Sequence, residues 1–555
     1  MTAPSVPIPS PITLSDDFPI TWESPELAAL PFVQDRQHAP NPMTPLSTWF
    51  IQNGFAIASS EVFASFDIPM AFTIGHFNYY YYMAIAPTVP AEEMAEYEPR
   101  IQAKLMPAIM EFRPRWEQEW LPELQRTWDE WAKLDLAAAS LPRLLERLDE
   151  CEALSQRLWW IHMELLAPAF LGFSEFRELY GQLFPEKGDL GAYRLLQGFD
   201  NKSLEADRAF WGLSLQVAAS PALRALFEST PADDIGAALP AMPGGPAFLE
   251  AIAPVLDRWG RRSDTVLEMA DPSWIENPRP LFQLIKRFLE RGEDPQQKHE
   301  EMVAEREAAV AEARERLAGH PVDLREQFES LLAAAQSCSF LQEDHNHWID
   351  QRGLHEVRQV CLAVGRRLVE AGKLASADDV FLFTMPELRE LATGANPGIE
   401  TASTRRAEMG RWAAVTPPPM VGTDYGPPPE NPITRAIGRM LGTPPPASND
   451  TVVRGHAGSP GKVRGIARVI NTIDEADRLG VGEILVTATT SPPWTPFFGI
   501  AAAVVTDTGG ALSHCAVVCR EYGIPGVVGT QVGTARIRDG LLVEVDGDEG
   551  TVRLL

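Results

Sequence analysis

Ten prolines lie between Pro417 and Pro446 and divide this chain of 555 residues into two parts with different patterns. Proline cannot continue a helix and has no amide to donate inside a sheet, so this stretch forms neither a long helix nor an inner strand. We therefore predict a linker with semi-rigid pieces. The predicted organisation is an N-terminal arm (1–45), a mainly α-helical domain (46–415), the proline-rich linker (416–449) and a compact β/α domain (450–555).

Periodicity differs on the two sides of the linker. Before it, apolar residues recur at three- and four-residue spacing, which is typical of amphipathic helices. The tyrosine-rich stretch 72–87 favours buried strand or irregular structure instead. After the linker, short β-branched runs indicate strands, with one short helix from Ser513 to about Tyr522. The predicted helical segments lie within 92–170 and at 203–219, 246–260, 279–291, 295–318 and, in two pieces, 322–372.

Charge and composition exclude several classes of partner. The formal net charge is -28, from 76 acidic and 48 basic residues, which disfavours binding to nucleic acid or to anionic membrane surfaces. The start has no signal-peptide pattern, and no stretch reaches the roughly 18 apolar residues of a spanning helix. Five cysteines form no disulfide or zinc framework. We expect a cytoplasmic protein.

His514 stands where a strand, a glycine pair and a helix start meet. Gly509 and Gly510 allow a tight turn or a close approach to a ligand, and Ser513 can cap the helix that His514 begins. The amide donors and dipole of a helix N-terminus favour a bound or covalently attached anion. A neutral imidazole there can act as a nucleophile towards a phosphoryl group, so the residues suggest a phosphohistidine or, alternatively, a polar helix cap.

The stretch GGALSHCAVVCREYGIPGVVG resembles the histidine motif of the phosphoenolpyruvate-utilising enzymes. The resemblance implies that His514 carries the phosphoryl group and that residues 450–555 form a swivelling phosphohistidine domain. In this domain the segment GSPGKVRGIARVI lies at the start, and TTSPPWTPFF is the tryptophan-containing loop. Two features depart from the family pattern. Ala511 and Leu512 replace a methionine or arginine and a threonine, and Cys515 replaces an alanine.

Motifs before the linker resemble the substrate-binding domain of the rifampicin phosphotransferase branch. They include NPMTPLSTWF, LLQGFDNKSLEADRAFWGLS, LEMADPSWIENP and VGRRLVEAGKLASADDVFLFTMPEL. The glycine-rich and basic pattern of an ATP-grasp domain is not found in this sequence. The arrangement is similar to the large subunits of phenylphosphate synthase and of the aryl phosphate synthase that acts on 4-cresol. This resemblance implies a separate ATP-grasp subunit that binds most of the ATP and Mg²⁺, and a small phenolic acceptor.

Phosphoryl transfer to a hydroxyl needs positioned cations and a proton acceptor. The densest set of such side chains is EDHNHWIDQRGLHEVR, residues 343–358, on a predicted helix. The alternative interpretation of this segment is a solvated helix face. In the functional interpretation of segment 343–358, Arg352 and Arg358 are candidates for a phosphate clamp, His347 or Asp350 for the base, and Glu343 for a substrate contact.

His76 and Tyr80 are further candidates, because the surrounding tyrosines could line an aryl pocket. A core histidine is the alternative for His76. Arg261 and Arg262 form a second, lower-ranked clamp or a surface pair. No metal ligand set is predicted.

Three other functions stay open. Phosphoenolpyruvate could be the direct donor, the chain could be a non-catalytic binding protein that retains the fold, or His514, Cys515 and Cys519 could form a thiol or metal site. The cysteines lack a known ligand spacing, which disfavours the third alternative.

Overall fold

The computed structural model describes residues 10–90, 93–188, 190–292, 294–394, 397–426, 445–491 and 494–555. The chain divides into two compact units. Unit 1 comprises Met1–Pro168, Thr265–Asp271 and Trp348–Glu430, and unit 2 comprises Ala169–Asp264, Pro272–His347 and Asn431–Leu555. The predicted helical domain contributes to both. The predicted fold class is confirmed, since a mainly helical region precedes a sheet-containing C-terminal domain.

An antiparallel sheet of five strands organises unit 1. Its order is β1-β5-β2-β4-β3. The strands are β1 (Ser10–Pro11), β2 (Pro31–Gln34), β3 (Met70–Phe77), β4 (Tyr80–Pro87) and β5 (Met420–Asp424). Residues predicted as arm and linker therefore supply three of them. The tyrosine-rich stretch forms the β3–β4 hairpin, in which His76 lies directly opposite Tyr81.

Successive strand residues point to opposite faces, and this decides which tyrosines face the core. Tyr80 and Tyr82 lie on the face that packs against Phe18 and Phe32. Their hydroxyls donate to backbone carbonyls, Tyr80 to Val415 and Tyr82 to Pro418. Tyr81 points to the other face. The proline-rich segment around Pro418 is thereby attached to the hairpin.

The remaining elements of unit 1 are helical. The α-helices are Pro25–Ala28, Pro45–Phe50, Ala56–Ser65, Met94–Met110, Phe112–Arg115, Leu121–Trp131, Arg352–Glu370, Met385–Thr393 and Ile399–Trp412, with π-helical turns at Ile51–Phe55 and Trp116–Trp120 and a 3-10 turn at Ala377–Leu382. Two longer helical stretches continue from one unit into the other, Leu141–Leu183 and the π-helical turn Asn346–Gln351 with its flanking helices. Gly372 has a φ of 68°, as predicted for the residue that ends the last of these.

Unit 2 begins with helices packed around a core that includes Phe210, Phe227 and Trp274. The predicted helices from 203 to 338 are confirmed. Asn201 caps one of them by accepting from the Leu204 amide at 2.9 Å. The α-helices are Lys202–Ala219, Pro221–Ser229, Ala232–Ala238, Gly245–Trp259, Arg279–Arg291, Pro295–Leu317, Val322–Cys338 and Leu341–His345, with 3-10 turns at Pro185–Lys187, Gly191–Leu195 and Leu239–Ala241.

The C-terminal part of unit 2 is built on an eight-stranded sheet of order β6-β13-β12-β8-β9-β10-β11-β7. Strands β8 to β11 are parallel to one another, so the loops after β9 and β10 leave from the same edge. The strands are β6 (Val452–Arg454), β7 (His456–Ser459), β8 (Lys462–Val469), β9 (Ile484–Thr487), β10 (Ala503–Thr506), β11 (Gly526–Val528), β12 (Leu542–Asp546) and β13 (Thr551–Leu554).

Short helices lie between these strands, and they include the predicted one. They are the 3-10 turn Ile473–Arg478 and the α-helices Thr495–Phe498, His514–Glu521 and Gly533–Arg536. Helix His514–Glu521 buries Cys515, Ala516 and Cys519 against Leu485 of β9 and Val504 of β10. Among the described residues, no helix has the length and apolar character needed to cross a bilayer.

The packing under this helix gives a stability prediction. Leu485 is fully buried, so Leu485→Ala should lower the free energy of local opening around β9 and β10 by about 2–5 kcal/mol. Leu542→Ala, at a position of β12 that is 45% exposed, should change it by less than about 0.5 kcal/mol. Native-state hydrogen exchange of the β9 and β10 amides measures both, and equal effects would contradict the assigned packing.

Candidate functional site

The chain places His514 at the carboxyl edge of the parallel strands. β10 ends at Thr506, Gly509 turns the backbone with a φ of 94°, and Ser513 caps the helix by accepting from the Ala516 amide at 3.5 Å. A side chain at Gly509 would bring its Cβ within 2.7 Å of the Ser513 hydroxyl. The turn therefore needs glycine for two reasons, its left-handed conformation and its close approach to the cap.

Asp507 anchors the start of this turn. It is 3% exposed and accepts from the Thr530 hydroxyl at 2.9 Å and from the Thr534 amide at 3.1 Å. Its backbone carbonyl accepts from the Gln531 amide at 2.9 Å. The loop that precedes His514 is thus fixed to the loop after β11, which limits how far the imidazole can shift. Sequence analysis did not identify this residue, although an acidic residue at a strand end is a recognisable signal.

Two threonine hydroxyls flank the imidazole of His514. Thr490 lies 3.1 Å from Nδ1 and Thr495 lies 3.3 Å from Nε2. The ring of Phe498 meets the imidazole edge-on, with centroids 6.0 Å apart. Both threonines follow β9, which is parallel to β10, so their loop and that of His514 leave the same edge of the sheet. A hydroxyl can donate or accept, so both contacts suit a neutral imidazole with one N–H and one lone pair.

Burial keeps this imidazole neutral. Desolvation lowers the pKa of His514 to about 3, because the surrounding protein disfavours the imidazolium. The side chain still retains some accessible surface. A nitrogen lone pair is therefore available at neutral pH, which is what a nucleophile towards phosphorus requires.

The positions at which the sequence departs from the family pattern have structural roles. Leu512 is 5% exposed and packs with Leu190 and Tyr193. Cys515 and Cys519 belong to the buried core beneath the helix, and burial raises the pKa of the Cys519 thiol. A protonated, buried thiol is a poor nucleophile and a poor metal ligand, which disfavours the thiol or metal alternative.

A second polar group in unit 2 lies on the helical side. Glu343 is 7% exposed and accepts from the Ser203 hydroxyl. Burial raises the pKa of Glu343 and raises that of Asp207 to about 7, and the charge of Arg262 opposes both shifts. The Arg262 guanidinium also lies 5.3 Å from the Trp274 ring centroid. We call Ser203, Asp207, Arg262 and Glu343 the carboxylate–arginine cluster.

The carboxylate–arginine cluster is connected to the part of unit 2 that contains His514. The Ser491 hydroxyl, beside Thr490, donates to the Asp264 carbonyl at 3.0 Å. Glu521, on the helix that His514 begins, has its pKa raised to about 8 by burial and then by the charges of Glu343 and Asp207. Of the two arginines ranked lower, Arg262 thus belongs to this region. Arg261 instead pairs with Asp257 at 2.8 Å.

Candidates on the segment 343–358 are distributed over both units. In unit 2, His347 lies 5.1 Å from the Trp259 ring centroid. In unit 1, Arg358 is 5% exposed and donates to the carbonyls of Met269 and Ala270 at 2.8 and 2.9 Å. Such contacts attach the segment 265–271 to the helix, so Arg358 has a structural role there. Whether it also holds phosphate stays a prediction.

The other two candidates in this part of unit 1, Arg352 and Asp350, have defined partners as well. Arg352 pairs with Glu356 at 2.7 Å. Asp350 lies 2.9 Å from Nδ1 of His162, a residue that sequence analysis did not select. The sequence offered little indication that His162 contacts Asp350, because the two residues are far apart in the chain and His162 lies in an ordinary helical pattern.

The hairpin candidates lie on opposite faces of their sheet. The hydroxyl of Tyr80 donates to the carbonyls of Trp412 and Val415 on the core face. His76 lies on the other face, with its ring centroid 5.7 Å from that of Tyr79. Desolvation lowers the pKa of His76 to about 4. The structure therefore does not bring Tyr80 and His76 into one site, and it offers Tyr81 beside His76 instead.

Comparison with known families identifies two domains. Residues 162–343 match the rifampicin phosphotransferase fourth domain, and residues 479–550 match the mobile domain of PEP-utilising enzymes. The second match contains His514, Gly509 and both flanking threonines. The first contains the carboxylate–arginine cluster.

Relatives match the chain over long stretches. Chondramide synthase cmdD of Chondromyces crocatus is 35% identical over the whole chain, which covers 14% of that protein. The uncharacterized phosphotransferase YvkC of Bacillus subtilis is 28% identical over 78% of this chain and 51% of its own length. A rifampicin phosphotransferase of Streptomyces sviceus is 32% identical over 58% of this chain and 36% of its own. The chain thus spans at most about half the length of these relatives.

The low pKa of His514 predicts a specific pH response. An unperturbed histidine is about nine-tenths protonated at pH 5.5. His514 should instead stay neutral from pH 7.5 to 5.5, because its pKa of about 3 lies below this window. Nitrogen-15 NMR of the labelled imidazole measures this, and His514→Gln assigns the signal. A titration midpoint near 6.5 would contradict the burial described here.

Proposed function

We propose that this chain, which matches the rifampicin phosphotransferase fourth domain and the mobile domain of PEP-utilising enzymes, is the phosphohistidine-carrying subunit of a phosphotransferase. In this proposal His514 accepts a phosphoryl group and passes it to the hydroxyl of a small, phenolic acceptor. ATP activation occurs on a separate ATP-grasp subunit, which makes the pair a two-component aryl phosphate synthase of the aromatic compound catabolism type. The phosphotransferase class rests on the family matches, and the acceptor and the partner rest on the resemblance of the sequence motifs.

The observation that carries the proposal is the environment of the His514 imidazole. It is neutral, it begins a capped helix, and it lies between the Thr490 and Thr495 hydroxyls. A neutral ring supplies the lone pair that attacks phosphorus. The helix N-terminus and the hydroxyls supply donors for the oxygens of the attached group. Gly509, Gly510 and Ser513 form the turn that holds these donors in place.

Loading is proposed to follow the scheme of the family. A nitrogen lone pair of His514 attacks the β-phosphorus of ATP, an N–P bond forms, and the bond to the α-phosphate oxygen breaks as AMP leaves. Water then cleaves the bond between the β- and γ-phosphates and releases inorganic phosphate. The partner subunit holds most of the ATP and its Mg²⁺. On this chain, the Asp507 anchor keeps the imidazole from turning away, because the loop that leads to His514 is bonded to Thr530 and Thr534.

Transfer to the acceptor needs cationic and proton-accepting groups beyond His514. The carboxylate–arginine cluster supplies one cation, Arg262, beside the carboxyl groups of Asp207 and Glu343, whose pKa values burial raises. We propose that this cluster faces the phosphoryl group during part of the cycle. Because β5 holds residues 420–424 of the linker 416–449 in a sheet, the part after β5, residues 425–449, is proposed to permit the swing of the phosphohistidine domain; some 25 residues at about 3.1 Å each reach up to about 75 Å when extended. Of these linker residues, 427–444 lie outside the described part of the chain.

The test is to identify the donor and the residue that is labelled. The full chain is incubated with a candidate ATP-grasp subunit and ATP labelled at the β-phosphate, or with labelled phosphoenolpyruvate alone. Acid-labile label should form with ATP and the subunit. It should be located at His514 by mass spectrometry and should be lost in His514→Ala.

Cys515→Ala is the matched control, since its side chain is adjacent, 3% exposed and outside the proposed chemistry. It should be labelled like the wild type. Label from phosphoenolpyruvate without the subunit would support the direct-donor alternative. No label from either donor, with a partner shown to hydrolyse ATP, would leave a non-catalytic binding protein as the better description.

A further inference from the structure

Unit 1 contains a histidine oriented by a carboxylate immediately after β2. The Nδ1 atom of His38 lies 2.8 Å from Asp35 Oδ2. Asp35 Oδ1 also accepts the amides of Gln37 and His38 at 3.1 and 3.0 Å, so the turn fixes the carboxylate. The Asp35 side chain is 10% exposed, whereas that of His38 is 38% exposed. The imidazole is therefore held on one side by a buried carboxylate and is accessible to a small molecule.

A second pair of the same kind lies beside the first. The Nδ1 atom of His162 lies 2.9 Å from Asp350 Oδ1, with both side chains about nine-tenths buried. Burial disfavours the His38 imidazolium, but the charges of Asp35 and then of Asp350 outweigh this and raise the pKa of His38. The two pairs thus interact electrostatically. Two histidine–carboxylate pairs from three distant segments of the chain converge here.

The sheet supplies the floor of this region. Gln34 pairs with Tyr82 in register, which places Asp35 next to Tyr81, and Tyr81 lies opposite His76. Tyr81 is only 2% exposed, and the Nε2 atom of His76, opposite it, is buried and has no hydrogen-bond partner among the described residues. Burial, and then the charge of Asp35, raises the pKa of Tyr81. A buried imidazole nitrogen without a partner, beside a phenol, indicates a place for a further polar group.

Aromatic contacts close the region on its other side. Phe72, on the same face of β3 as His76, meets Phe55 at 5.6 Å between ring centroids. Phe55 meets Trp159 at 5.0 Å, and Trp159 meets His162 at 4.8 Å. The contacts thus run from the sheet, through the π-helical turn Ile51–Phe55, to the His162–Asp350 pair. Apolar rings and a few convergent polar groups are the usual lining of a small-molecule site.

We propose that this region of unit 1, formed by Asp35, His38, His76, Tyr81 and the His162–Asp350 pair, binds the acceptor as an uncharged phenol, with His38 as the base. The inference rests on the proposed function and adds the place, the base and the charge of the acceptor. Tyr81 supplies a hydrogen bond to the acceptor oxygen. Asp35 is a positioning residue, which orients His38 and stabilises its protonated form.

In the proposed transfer step one O–P bond forms and one N–P bond breaks. Nε2 of His38 takes the proton from the acceptor hydroxyl, and the oxygen forms a bond to the phosphorus carried by His514. The N–P bond breaks, and its electron pair returns to the His514 imidazole. The products are an aryl phosphate, neutral His514 and an imidazolium at His38, which loses its proton to solvent.

Charge limits which phenols fit. Asp35 and Asp350 place two carboxylates beside the proposed oxygen site, so an acceptor that bears its own carboxylate is repelled. We therefore expect 4-fluorophenol to bind and 4-hydroxybenzoate, which has the same ring and hydroxyl, not to compete with it. Competition by 4-hydroxybenzoate at equal concentration would overturn the charge argument.

Binding is tested without any phosphoryl transfer by fluorine-19 NMR of 4-fluorophenol with the full chain. Tyr81→Phe should weaken binding about five-fold, the effect of one lost hydrogen bond. Tyr82→Phe is the control, because its hydroxyl donates to Pro418 on the opposite face of the same strand. His514→Ala should bind 4-fluorophenol like the wild type. Equal binding by Tyr81→Phe and the wild type would place the acceptor elsewhere.

Catalysis is tested by single-turnover transfer from chain that has been phosphorylated with the partner and ATP, or chemically with phosphoramidate. His38→Gln should load His514 normally but transfer to 4-fluorophenol on the order of 100-fold more slowly. Wild-type transfer should fall as pH drops below the raised pKa of His38, set by Asp35 and Asp350, and His38→Gln should lack this decline. Normal transfer by His38→Gln would refute the base assignment, whereas absent loading in every variant would refute the proposed function instead.

Discussion

Parallel pairing of β9 with β10 decides where the chemistry of unit 2 can occur. Because both strands run in the same direction, the loops that carry Thr490 and His514 leave one edge of the sheet and meet there. The buried side chains of β9 and β10 hold the helix that His514 begins, and Asp507 ties the intervening loop to its neighbour. The position, the protonation state and the hydrogen-bond partners of the imidazole all depend on this pairing.

Local features of the sequence predicted part of this site. Gly509, Ser513 and His514 are adjacent in the chain, so turn and capping preferences were enough to place them. Thr490 and Thr495 could not be selected in the same way, because their approach to His514 depends on strand pairing between distant segments. The quoted loop motif contained both threonines, but a motif does not say which hydroxyls reach the ring.

The helical segment 343–358 shows a different limit. Four-residue spacing predicted aligned rows of side chains, but residues 346–351 form a π-helical turn. This turn shifts the later side chains around the helix axis relative to the earlier ones. Arg358 is directed to backbone carbonyls of a segment about ninety positions earlier, a contact that periodicity cannot reveal. On the hairpin, a one-residue difference separates Tyr80 in the core from Tyr81 on the opposite face, so an interpretation by proximity in the sequence could not show which tyrosine shares a face with His76.

Glu521 shares a helix with His514 and has a pKa of about 8 beside Glu343 and Asp207. A glutamate surrounded by water has a pKa near 4.3. Withdrawal of this helix from the two carboxylates would therefore discharge a proton into the medium at neutral pH. The proposed movement of the domain would then be coupled to the release of a proton. A lower pH would favour the position in which Glu521 lies beside Glu343 and Asp207.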